Sequence, residues 1–146
     1  MMNMKTKFNF KSQVCTNRSQ SERLLALGLK KETADMHWYK PAEFEHDYWY
    51  EGIGESWATS DIPAWSLHRL MCMLPNVVKA EKPFENSFSS LMNIMISTLG
   101  IAYYYEDYDE NRIYAFECFG NLMEASVSAI EWLIKKGYFN KEYLEE

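Results

Sequence analysis

Apolar residues recur at helical spacing in three stretches of the chain and alternate with polar residues in several others. In the middle, Leu67, Leu70, Met71 and Leu74 fall at i, i+3, i+4 and i+7 and so share one helix face. Ser66 precedes them as an N-cap whose hydroxyl accepts from the free N–H groups of the first turn. Pro75 lacks an N–H and disfavours helical geometry at Leu74, so the helix stops there. Pro63 narrows the approach of the chain. Trp65 sits just before the cap, where a large apolar residue packs back on the turn it introduces. It is expected in the core.

A longer helix is predicted near the end. Met123, Val127, Ile130 and Ile134 form an apolar row beside Leu122, Ala129 and Leu133. Asn121 caps it with Glu124 three residues on, Glu131 and Lys135 stand at i, i+4, and Gly137 ends it. An earlier helix runs through Leu24, Leu25 and Leu27 to Gly28. Its cap is Asn17 or Ser19, each followed three residues later by Gln20 or Glu22 in capping-box spacing. Residues 30–35 read as one more helical turn or a tight connection.

Alternation marks the strands. Lys7 to Lys11 alternates polar and aromatic, and Met36 to Tyr39 reads as a strand closed by Pro41. Ser90 to Ser97 is an apolar run that suits a buried strand, although its period also allows a helix. Residues 102–105 and 112–116, β-branched and aromatic, flank an acidic turn and predict a hairpin. Residues 43–60 have no clean period and read as a loop or irregular hairpin, and 76–87 as a connection. Residues 1–146 form one domain, with no internal repeat or linker. The fold class is α+β: a small antiparallel sheet with about three helices packed mainly on one face.

Composition refines this picture. The chain has 146 residues, 47% of them hydrophobic, which is enough for a core of its own. No run approaches the length of a membrane span, and the polar start lacks a secretory core, so a cytoplasmic protein with no membrane partner is expected. Cys15, Cys72 and Cys118 are an odd, unpaired set that fits reduced thiols. The net charge of −6 hides an asymmetry: residues 1–31 carry seven bases against Glu22 alone, while the rest is strongly acidic. The acidic body argues against nucleic acid. Internal or intersubunit charge complementarity is the better account.

Candidate chemistry is sparse. His68 and Cys72 lie one helical turn apart and could share a metal, but the further ligands, Cys118 or His37, have no supporting spacing. A surface His beside a thiol explains the pair more simply, and no oxyanion-hole motif supports a nucleophile. Asp107-Tyr108-Asp109-Glu110-Asn111 opens like a calcium loop. Arg112 then stands where the glycine is required and Cys118 where the bidentate Glu is required. Glu43-Phe44-Glu45-His46-Asp47 puts carboxylates near an imidazole, as a solvated loop also would. No catalytic, cofactor or metal residue is assigned, and no cofactor is expected. Walker, dinucleotide, zinc-ribbon and helix-turn-helix patterns are absent.

The aromatic share, 16%, exceeds ordinary need. Trp38, Tyr48, Trp49, Tyr50 and Trp57 form a candidate interaction surface, since rigid aromatic bodies with polar tips favour interfaces. Filling the core is the competing account.

Three blocks in order carry a likeness: Ser19 to Leu29 with Glu32 to Met36, then Ile62 to Leu67, then Ala129 to Tyr138. Together they resemble a family of small uncharacterised proteins of bacterial prophages and mobile elements. The resemblance implies a phage-related origin and a small α+β fold, and brings no activity or catalytic residue. The leading expectation is a non-enzymatic accessory protein that binds another protein or itself. An alternative is a small-molecule-binding protein or enzyme with an aromatic and acidic pocket in 37–57, using His37, His46 and Glu45. A third is nucleic-acid binding through residues 1–31.

Overall fold

The computed structural model describes residues 13–40, 49–53 and 61–146. These residues form three α-helices and seven strands, α1 (Arg18–Ala26), β1 (Met36–Tyr39), β2 (Tyr50–Ile53), β3 (Ile62–Ala64), α2 (Leu67–Met73), β4 (Val77–Lys79), β5 (Leu91–Ser97), β6 (Gly100–Glu106), β7 (Arg112–Phe119) and α3 (Leu122–Lys136), with single 3-10 turns at Lys31–Thr33 and Lys141–Tyr143. The fold is α+β. All strand pairs are antiparallel, and they divide between two sheets, ordered β2-β1-β3 and β4-β5-β6-β7.

The helix caps follow from side-chain chemistry. Asn17 accepts from the Gln20 N–H while the Gln20 side chain accepts from the Asn17 N–H, which completes a capping box. Ser66 accepts from the Arg69 N–H, and Asn121 from the Glu124 N–H. Gly137 ends α3 in the left-handed region at φ 76°, and the Tyr138 N–H reaches back to the Leu133 carbonyl at 2.8 Å. That pair of features is a Schellman ending, which turns the chain back over its own last turn.

α3 packs on β6 and β7 and also touches α1 and α2. Met123, Val127, Ile130 and Leu133 form one core with Ile101, Tyr103, Met92 and Val78. On α1, Arg23 binds Glu124 at 2.6 Å, so part of the charge asymmetry is met inside the chain. The C-terminal segment is tied down as well: the Lys30 N–H donates to the Tyr143 carbonyl, and the Glu145 N–H to the Gly28 carbonyl.

Trp65 is fully buried and joins several elements. Its indole N–H donates to Thr33 Oγ1 at 2.9 Å, and its backbone N–H to Thr16 Oγ1 at 3.1 Å. Asp35 accepts from both the N–H and the hydroxyl of Ser66, which fixes the start of α2.

One local expectation changes and two further segments gain definition. Residues 76–87 contain β4, whose three residues gain strand character only by pairing with β5. Ile62–Ala64 is a strand despite Pro63, because it lies at an edge of its sheet, where a missing N–H costs no ladder bond. Part of the irregular segment, Tyr50–Ile53, pairs with β1. The expected strand at Lys7–Lys11 lies outside the described residues.

Candidate binding cleft

The described surface has a cleft of about 290 Å³ between the C-terminal half of α3 and the four-stranded sheet. Phe84, Met92, Tyr105 and Ile113 form one side of it, and Trp132 and Tyr138 the other. Tyr114 and Ala115 complete the rim on β7, and Lys136 supplies a charge.

Each wall has a local cause. The Phe84 carbonyl accepts from the Ser87 N–H and the Phe84 N–H donates to the Ser89 carbonyl, closing a turn that lays the ring on Tyr105. The two rings stack at 4.5 Å and 14°. Trp132 stands among Tyr103, Phe116 and Tyr138 at centroid distances of 5.7, 5.4 and 5.8 Å. Tyr138 reaches Trp132 because the left-handed Gly137 reverses the chain there. Behind them, Tyr103 donates its hydroxyl to the Pro75 carbonyl at 2.8 Å, and burial pushes its pKa upward. A β-bulge opposite Tyr103 and Tyr104 leaves Ala115 as the extra residue at the rim. Lys136 is exposed and forms no ion pair within the described residues, whereas Lys135 binds Glu131 at 3.3 Å. The cleft therefore offers aromatic rings, the apolar side chains of Met92 and Ile113, and an ammonium group without an ion pair among the described residues.

Of the residues expected at an interaction surface, Trp38 and Tyr50 lie on opposite faces of their sheet. Trp38 is half-buried and its indole N–H donates to the Thr16 carbonyl at 2.8 Å. Trp49 is half-buried beneath the Arg18 guanidinium, 5.1 Å away. Tyr50 is 43% exposed and leans on Tyr39, which alternation places on the opposite sheet face from Trp38. Tyr48, Trp57, Glu45 and His46 lie outside the described residues. His37 is buried, with its ring against Gly52 and 5.7 Å from Tyr39.

Cys72 Sγ and His68 Nε2 lie 3.5 Å apart on the surface of α2. Among the described residues, no group of three or more His, Cys, Asp or Glu side chains is arranged to hold a metal. Asp107 accepts from the Asp109 and Asn111 N–H groups at 2.9 Å each, as a side chain shaping a hairpin tip does. Cys15 is buried, and desolvation, helped by Glu51 and Asp35, pushes its thiol up to about 11.

The cleft residues were outside the expected set. Tyr138 carried a signal, since it follows the glycine that ends α3. Trp132 carried a second one, since it stands off the apolar row of that helix. No helix among the described residues is long and apolar enough to cross a membrane. No family model, curated protein or solved structure matches this chain.

Proposed function

We propose that this protein is a non-enzymatic accessory protein that acts by holding a segment of another protein in the α3–β7 cleft. The observation that carries this reading is the aromatic cleft beside an unpaired lysine. Its volume lies at the bottom of the range of about 300–1,000 Å³ that small-molecule pockets occupy. That space suits one anchoring side chain of a larger partner better than a whole cofactor. Aromatic walls favour an aromatic or large aliphatic anchor, and such buried anchors supply most of the binding energy of an interface. Lys136 adds a preference for a carboxylate next to that anchor. The resemblance to prophage and mobile-element proteins supplies the setting, and the cytoplasm the location.

Selection of peptides from a random display library against the purified chain tests this reading. Enriched peptides should share an aromatic or aliphatic residue beside Asp or Glu. Lys136→Glu should weaken them about tenfold, the equivalent of about 1.4 kcal/mol. Binders indifferent to Lys136→Glu and Tyr138→Ala, or no binders, would overturn it.

A further inference from the structure

We propose that β7 is the strand through which two copies of this chain pair, edge to antiparallel edge, joining two four-stranded sheets into one of eight. Among the described residues β7 ends the sheet order, and it is eight residues long. Six of those residues are exposed, including Ile113 at 38%, Tyr114 at 42% and Phe119 at 53%. A long apolar edge is a template for another strand, and edges are commonly blunted by shortness, lysine or proline. The opposite edge, β4, has only three residues and ends in Lys79. β7 has neither lysine nor proline.

The sequence of β7 is complementary to itself. Its two charged residues, Arg112 and Glu117, have opposite signs, and neither forms an ion pair within the described residues. Arg112 lies over the Tyr104 ring at 4.6 Å, on the sheet face away from α3. Five residues apart on a regular strand, Arg112 and Glu117 would point to opposite faces. The bulge at Ala115 adds one residue and restores them to the same face. Ile113 and Phe116 then share the α3 face. A two-fold axis through the bulge sets Arg112 against Glu117 of the second copy and Ile113 against its Phe116. Directly opposed residues of an antiparallel pair must share a face, and both pairs do. The pairing also adds the second copy's Phe116 beside Ile113, which lines the cleft. It does not depend on what the cleft binds.

Sedimentation equilibrium across a wide range of concentrations tests the pairing. The expected mass is twice 17.3 kDa. Arg112→Glu and Glu117→Arg should each weaken the dimer about tenfold, since each sets two like-charged pairs across the dimer, Arg112→Glu adding one with Glu106 inside each chain. The double variant carrying both changes should regain wild-type association. A wild type monomeric throughout would overturn the proposal and leave β7 to a strand from a different protein. A dimer indifferent to both single changes would assign it to another surface, and failure of the double variant to recover would reject this register. Hydrogen exchange on the wild type covers the case of a variant that does not fold. Amides of 112–119 should gain protection as concentration rises, and no change there would equally overturn the pairing.

Discussion

Trp65 and Trp132 occupy two regions built on different terms. Around Trp65 every polar handle is matched: its indole N–H meets Thr33, its backbone N–H meets Thr16, and Ser66 beside it meets Asp35. No buried side-chain nitrogen or oxygen among the described residues lacks a partner. Around Trp132 the contacts are aromatic rings, and within the described residues its indole N–H makes no hydrogen bond and the adjoining Lys136 no ion pair. A matched network defines one geometry and leaves nothing for a partner to complete. Stacked rings beside an open cleft leave both area and charge to be satisfied from outside. The contrast separates what holds the fold from what is available to bind.

The largest expected effect tests the closed region. Trp65→Ala removes a fully buried indole and should cost about 3–5 kcal/mol, the usual range for a buried aromatic. Urea denaturation should show a large fall in midpoint, and soluble yield should drop, because that is a large share of a domain's stability. Trp65→Phe keeps most of the packing and removes the bond to Thr33, so it should lie between wild type and Trp65→Ala. A neutral Trp65→Ala would mean that this junction does not hold the fold.

Trp132→Ala breaks the comparison from the other side. The ring is half-buried, so its loss should cost about 1–3 kcal/mol, within the ordinary range for substitutions. Peptide binding at the cleft should nevertheless be abolished. Equal losses of stability for Trp65→Ala and Trp132→Ala in urea would erase the distinction between the two regions.

Thiol chemistry gives a smaller separation. Cys15 has burial and nearby acids against its thiolate, while Cys72 is exposed. Alkylation of the native protein at neutral pH should therefore mark Cys72 and spare Cys15, because the thiolate is the reacting species. Mass spectrometry of the digested protein reads this directly, and fast labelling of Cys15 would show that the junction opens.

The closed region was largely legible in the sequence and the cleft was not. Ser66, Pro75, Asn121 and Gly137 act within a few residues of themselves, so their roles can be read from local order. Trp65 was legible through its place before a cap. The cleft sets Phe84 of the loop after β4 and Tyr105 of β6 against Trp132 of α3 and Tyr138 just beyond it, and only the fold brings the first two to the last two. The aromatic run at 38–57 is legible because its members are close in the chain. Strand alternation and local bonding then part Trp38 from Tyr50. β4 was hidden for the same physical reason: Val77–Lys79 has too few residues to show a period before β5 lies beside it. The basic start and acidic body were visible as totals. Which pair would form, Arg23 with Glu124, depended on α1 crossing α3.

That pair supplies the smallest expected effect. Burial alone would raise the Glu124 pKa, but hydrogen bonds from Arg23 and Gln20, with the Arg23 charge, outweigh it and hold the carboxyl below its ordinary value. A folded-state value below the unfolded one means that the contribution to stability is complete above the ordinary glutamate range near about 4.3. It is lost as pH falls through the depressed folded value. The side chains of Arg23 and Glu124 are 36% and 41% exposed, so solvent screens the pair. Its worth should be about 1 kcal/mol or less. Glu124→Gln should thus lower stability slightly at neutral pH, and the difference from wild type should shrink as pH falls and the wild-type carboxyl takes up its proton. A difference that persisted undiminished to the acid end would assign the effect to lost packing between α1 and α3. No difference at neutral pH would mean that the charge asymmetry of the chain contributes nothing to closing this region.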